Sequence, residues 1–71
     1  MNTNKQIKYL ISQLDIDQIK AILIEYYSEN NHPFSIYNAT NKSFNELSYN
    51  LYNLVVSGEI DEITIIIEMN S

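Results

Sequence analysis

The chain has 71 residues, a net charge of −5, no cysteine and a single histidine. That length gives one domain, residues 1–71, with a small core, and the lack of cysteine excludes disulfides and the zinc sites that thiolates build. All of the excess negative charge follows residue 42, where the chain carries carboxylates and no basic residue. Such a one-sided acidic field repels nucleic acid and anionic membranes and attracts basic protein surfaces.

Two helices are predicted first, at residues 4–14 and 16–29. Apolar residues in both segments recur at the three- and four-residue spacing of one helix face. Asp15 is of a residue type that is preferred at the N-cap position, and Gln18 lies three residues later, as in a capping box. The sequence therefore predicts a break at Asp15, with one continuous helix as the alternative.

A short strand is predicted at residues 34–38, where apolar and polar residues alternate. A third helix is predicted at residues 44–57. Ser43 and Glu46 have the spacing of a second capping box, and Gly58 stands where a helix end needs a left-handed residue.

A second strand is predicted at residues 62–69, because Ile63, Ile65 and Ile67 alternate with other side chains and β-branched residues favour strands. The predicted fold is therefore α+β, in the order α-α-β-α-β, with a minimal two-stranded sheet in a βαβ unit. Two strands alone are marginal. The C-terminal strand is expected to pair at its exposed edge with a strand of a second copy or of a partner protein; the alternative is that the first two helices cover this edge.

Neither catalysis, nor a metal site, nor a cofactor is expected. His32 stands beside a proline, and a lone histidine in a turn is typically a solvated side chain. One glycine does not make a phosphate-binding loop. Glu25 and Glu29 share a helix face, but without a basic or metal-binding neighbour they are interpreted as solvated acidic surface. Direct DNA binding is not expected either, because the third helix contains no Lys or Arg for phosphate contacts.

Binding to another protein is the function that the sequence favours. Tyr49 and Tyr52 lie off the leucine stripe of the third helix, and tyrosine is enriched at interfaces. The alternative for these two side chains is packing against a neighbouring element. An acidic turn follows the same helix, which predicts one continuous acidic and aromatic patch suited to a basic partner. The predicted partner-binding residues are Tyr49, Tyr52, Glu46, Glu59, Asp61, Glu62 and Glu68.

In size, acidity and composition the chain resembles anti-CRISPR and DNA-mimic proteins, which share no motif. The resemblance implies a phage-type inhibitor whose carboxylates replace phosphates on the basic, nucleic-acid-binding surface of a host or defence protein, such as a CRISPR nuclease. The alternatives are a homo-oligomeric structural or regulatory accessory protein and a DNA-binding regulator of winged-helix type. The lack of cysteine and of an apolar N-terminal segment predicts a cytoplasmic location.

Overall fold

The computed structural model describes residues 3–30 and 41–70. Within those ranges every regular element is an α-helix. The helices are α1 (Thr3–Ser12), α2 (Ile16–Glu29), α3 (Phe44–Val56) and α4 (Glu62–Met69). The described chain is a helical bundle, and the predicted α+β fold class is wrong.

Both predicted capping boxes are confirmed. The Asp15 carboxylate accepts a hydrogen bond of 2.8 Å from the Gln18 backbone nitrogen, and the Gln18 side chain accepts one of 2.9 Å from the Asp15 nitrogen. Ser43 and Glu46 form the same reciprocal pair at the start of α3, at 3.3 Å in each direction. These bonds satisfy backbone donors that a helix start leaves without partners. They also make α1 and α2 separate helices, as predicted.

Gly58 ends α3, also as predicted. Its φ of 84° lies in the left-handed region, where a glycine avoids the clash that a Cβ would make. The N–H of Glu59 donates to the Leu54 carbonyl at 2.9 Å, and the N–H of Gly58 donates to the Val55 carbonyl at 3.1 Å. This pair of bonds is the Schellman motif, which reverses the chain direction after a helix.

Residues 62–69 form α4 and not the predicted strand. The Asp61 carboxylate accepts a hydrogen bond of 3.0 Å from the Ile63 nitrogen, and the Asp61 carbonyl accepts one of 3.0 Å from the Thr64 nitrogen. Ile65 is fully buried against the other helices. The prediction failed because strand preference reflects how a side chain packs on its neighbours more than an intrinsic backbone preference.

This correction removes several dependent predictions. The first predicted strand, residues 34–38, lies outside the described residues. Because residues 62–69 are helical, the two-stranded sheet, the βαβ unit and a dimer paired through a C-terminal strand are all wrong. The strand that a winged-helix protein would place after its third helix is replaced by α4 as well.

Packing of the helices follows a ring in the order α1, α3, α2, α4. Both α1 and α2 contact α3 and α4 extensively, whereas α1 contacts α2 less, and α3 contacts α4 less. The Gln18 side chain, at the start of α2, donates a hydrogen bond of 3.1 Å to the Glu68 carbonyl, at the end of α4. The core inside the ring is entirely aliphatic among the described residues: Ile7, Ile11, Leu14, Ile19, Ile22, Leu23, Leu47, Leu51, Val55, Ile60 and Ile65.

Replacement of Thr64 tests the helical assignment of α4. Thr64 is exposed, so Thr64→Ala changes local preference with little loss of packing. Alanine favours a helix over threonine, and we expect the free energy of unfolding to rise by about 0.5 kcal/mol. In a strand the same change would lower it, because alanine is depleted there. Urea unfolding measures whether the free energy of unfolding rises or falls. Thr64→Val, which keeps the β-branch, should leave stability nearly unchanged.

Candidate functional site

Five acidic residues line one cleft between α2 and α4. The cleft has a volume of about 140 Å³, and its floor includes Ile22 and Ile60. We call it the acidic cleft and define it by Glu25, Glu29, Tyr26, Glu59, Asp61 and Glu68. No Lys or His is found among the described residues that line it. The cleft is therefore a concentrated negative site on a chain whose net charge is already negative.

Glu59 is fixed in place by two hydroxyl groups. The Tyr26 hydroxyl donates a hydrogen bond to one oxygen of the Glu59 carboxylate, and the Ser57 hydroxyl donates to the other at 3.2 Å. The bond to Glu59 favours the protonated phenol and, together with burial and the negative charge of Glu59, raises the pKa of Tyr26 to about 12. Burial and the same charge raise the pKa of the neighbouring Tyr27.

The other carboxylates of the acidic cleft divide into two kinds. Asp61 has a structural role, since it caps α4. Glu25, Glu29 and Glu68 accept no side-chain hydrogen bond from the described part of the chain. Glu25 and Glu29 are exposed and one helical turn apart on α2, and Glu68 is half-buried on α4. Glu25 and Glu29 therefore repel each other, as like charges one helical turn apart do.

The structure brings together only part of the predicted site. Glu59, Asp61 and Glu68 share the acidic cleft, as the charge pattern suggested. Glu46 is held in its capping box with Ser43, and Glu62 lies in the first turn of α4; neither lines the cleft.

The predicted tyrosines lie elsewhere. Tyr49 and Tyr52 line a second depression, of about 300 Å³, between α1 and α3. We call it the aromatic groove and define it by Lys8, Ile11, Phe44, Ser48, Tyr49 and Tyr52. The acidic cleft lies between α2 and α4, which is the opposite side of the ring. A single continuous acidic and aromatic patch is therefore not formed.

Sequence reasoning missed Glu25, Glu29 and Tyr26 as members of the site. The signal for the two glutamates was present, because their spacing puts both on one helix face. That α4 packs beside this face depends on the ring order of the helices, which no local pattern encodes. Tyr26 gave no signal of its own in the sequence, since its partner Glu59 is far away along the chain.

Neither a cluster of metal-ligating side chains nor a membrane-spanning helix is found in the described ranges. No group of three or more His, Cys, Asp or Glu side chains there has the geometry to hold a metal ion. None of the helices at residues 3–30 and 41–70 combines the length and apolar character needed to cross a bilayer.

Comparison with known proteins gives no relative: the chain matches no family model, no curated protein and no solved structure.

Titration of the tyrosines tests the Tyr26–Glu59 contact. Because the pKa of Tyr26 is raised above its ordinary value of 10.0, the contact stabilises the fold fully below pH 10 and loses this effect as the pH rises towards about 12. We expect the absorbance difference between the native protein and Tyr26→Phe to show one tyrosine that ionises near pH 12. Glu59→Gln should move that step to lower pH.

Tyr9→Phe is the control for this titration, since Tyr9 is 63% exposed and is not a hydrogen-bond partner of Glu59. It should leave the late ionisation step in place. If Glu59→Gln leaves the ionisation of Tyr26 at the same pH, the contact between Tyr26 and Glu59 is contradicted.

Proposed function

We propose that this protein acts in the cytoplasm as a small binding module whose acidic cleft engages a basic surface of another protein. The observation that carries the proposal is that five acidic residues, from α2, α4 and the turn before α4, line one cleft. The lysines Lys5, Lys8, Lys20 and Lys42 lie outside that cleft. Acidic and basic side chains are thus separated in space at the cleft, as well as along the sequence.

The cleft suits a cationic side chain better than a substrate. Its volume of about 140 Å³ is below the range of about 300 to 1,000 Å³ that is usual for small-molecule sites. An arginine guanidinium is planar and donates paired hydrogen bonds to carboxylates. Glu59 and Asp61 are held rigidly by their own hydrogen bonds, while Glu25, Glu29 and Glu68 are available to a partner. We therefore propose binding without chemistry of its own.

The sharper form of the proposal names the partner class as a nucleic-acid-binding protein. Surfaces that bind nucleic acid present Lys and Arg for phosphates, and carboxylates in an acidic cleft compete for the same groups. This supports an inhibitor of the phage type, directed against a host or defence protein such as a CRISPR nuclease. The same negative field argues against direct binding to DNA, and α4 stands where a winged-helix regulator would need a strand.

Neutralisation of the cleft tests the site against net charge alone. We expect the native protein to bind a labelled oligo-arginine peptide at low salt, with affinity falling as salt screens the charges. The triple variant Glu25→Gln, Glu29→Gln, Glu68→Gln should weaken binding by about tenfold, since three exposed ion pairs are lost. Fluorescence anisotropy measures both affinities.

The matched control is the triple variant Asp17→Asn, Glu46→Gln, Glu62→Gln. It changes the net charge from −5 to −2, as the cleft variant does, but leaves the acidic cleft intact. Its binding should fall by about twofold or less, because only long-range attraction is reduced. Equal losses in the two variants would show that net charge, and no particular site, attracts the peptide.

A capture experiment then tests the partner class. The tagged protein is incubated with nuclease-treated lysate of a bacterium that carries defence systems, and the bound proteins are identified by mass spectrometry. The proposal requires a nucleic-acid-binding protein that is displaced by added duplex DNA and lost with the cleft variant. A partner that DNA fails to displace would contradict the inhibitor form of the proposal.

Self-association is a second candidate function, and one observation favours it. Ile63, Ile66 and Ile67 of α4 are 58%, 42% and 65% exposed and share one helix face. Exposed apolar patches often mark contact surfaces. This face replaces the C-terminal strand as the place where a second copy would bind.

Sedimentation equilibrium distinguishes the two candidates. If the protein is a dimer through α4, the double variant Ile63→Lys, Ile66→Lys should sediment as a monomer, because burying ammonium groups opposes the contact. Val56→Lys, at a position on α3 that is 47% exposed, is the control and should leave the dimer intact. A native protein that sediments as a monomer at all concentrations would remove this candidate.

A further inference from the structure

The aromatic groove has the size and composition of a small-molecule site. Its volume of about 300 Å³ falls at the lower end of the range found for ligand pockets. Its apolar walls come from Ile11 on α1 and from Phe44, Tyr49 and Tyr52 on α3. Pockets of this kind bind ligands by enclosing a flat apolar body between rings.

One charged residue lines the aromatic groove among the described residues, and it is a cation. The Lys8 ammonium lies 5.3 Å from the centre of the Tyr52 ring, which holds it at the groove by a cation–π contact. An ammonium group has three donors, and a ring face leaves N–H groups free to bind an anion. No described carboxylate lines this groove, in contrast to the acidic cleft on the other side of the ring.

A second, independent feature is the Ser48 hydroxyl. Ser48 lies in the groove wall, one turn before Tyr52, and its oxygen is buried with no hydrogen-bond partner among the residues that the structure describes. Buried polar groups in proteins are nearly always paired, and one without a partner is destabilising. Rotation of the hydroxyl towards the groove would allow a polar ligand atom to pair with it. The wall thus offers a site for hydrogen bonding in addition to the charge of Lys8.

From these features we propose that the aromatic groove binds a small aromatic carboxylate. The aromatic body lies between Phe44 and the two tyrosines, the carboxylate pairs with the Lys8 ammonium, and a polar substituent hydrogen-bonds to Ser48. The proposal is independent of the acidic cleft, because the two depressions share no lining residue and attract ligands of opposite charge. The protein would then carry an anion site and a cation site on opposite sides of one bundle.

The test compares two probes that differ only in charge, 3-phenylpropanoate and its neutral amide. Each is titrated into the isotope-labelled protein and followed by amide chemical shifts in NMR spectra. We expect shift changes centred on Lys8, Phe44, Ser48 and Tyr52, and an affinity about fivefold higher for the carboxylate, as one exposed ion pair provides. Equal affinities for the two probes, or shift changes centred on other residues, would overturn the proposal.

Two variants test whether Lys8 causes the preference for the carboxylate over the amide. Lys8→Gln should remove the difference in affinity between the carboxylate and the amide. Lys5→Gln is the control, since Lys5 is exposed on the same helix and does not line the aromatic groove; it should leave the fivefold preference in place. An equal loss of preference in both variants would mean that the carboxylate is favoured by long-range attraction to any lysine and does not pair with Lys8.

Discussion

The turn at Gly58 is the constraint on which the bundle and its cleft both depend. The left-handed conformation of Gly58 lets the chain reverse after α3, and each of the next three residues then has a different structural role. Glu59 accepts the hydrogen bond from Tyr26, Ile60 enters the core, and Asp61 caps α4. Because these tasks fall on consecutive residues, the direction of α4 and the position of two cleft carboxylates are set by one turn.

The signals at helix ends allowed most of the helical structure to be predicted. Side-chain caps act between residues three apart, so Asp15 with Gln18 and Ser43 with Glu46 can be identified without knowledge of packing. The same reasoning placed the stop at Gly58. The predicted boundaries of α2 and α3 agree with the observed ones to within one residue, since local hydrogen bonds decide each boundary.

The failure at α4 has a physical cause. Its eight residues are largely apolar, so an alternating pattern and a helical pattern can both be fitted to them. Isoleucine is β-branched and so favours the strand pattern, but β-preference spans only about 1 kcal/mol and is readily overridden by packing. Asp61 was available as an N-cap directly after a helix stop. For short apolar segments, the cap was the better guide to the structure than the composition.

The acidic cleft could be predicted only in part, because it is built from distant segments. Glu59, Asp61 and Glu68 belong to one stretch of acidic sequence and were grouped correctly. Glu25 and Glu29 join them through the packing of α2 on α4, and Tyr49 with Tyr52 are separated from them by the same ring order. Which helix lies beside which is decided by the core, and the sequence pattern of each helix alone leaves it open.

The ring order also bears on when the chain can fold during synthesis. Because α1 and α2 each bury their apolar faces mainly against α3 and α4, the first thirty residues make no closed core by themselves. Ile65 supplies one of the largest fully buried side chains and lies on α4, the last described helix along the chain. Core closure therefore waits until α4 has left the ribosome, so assembly of this small bundle is a late event that requires contacts between distant segments.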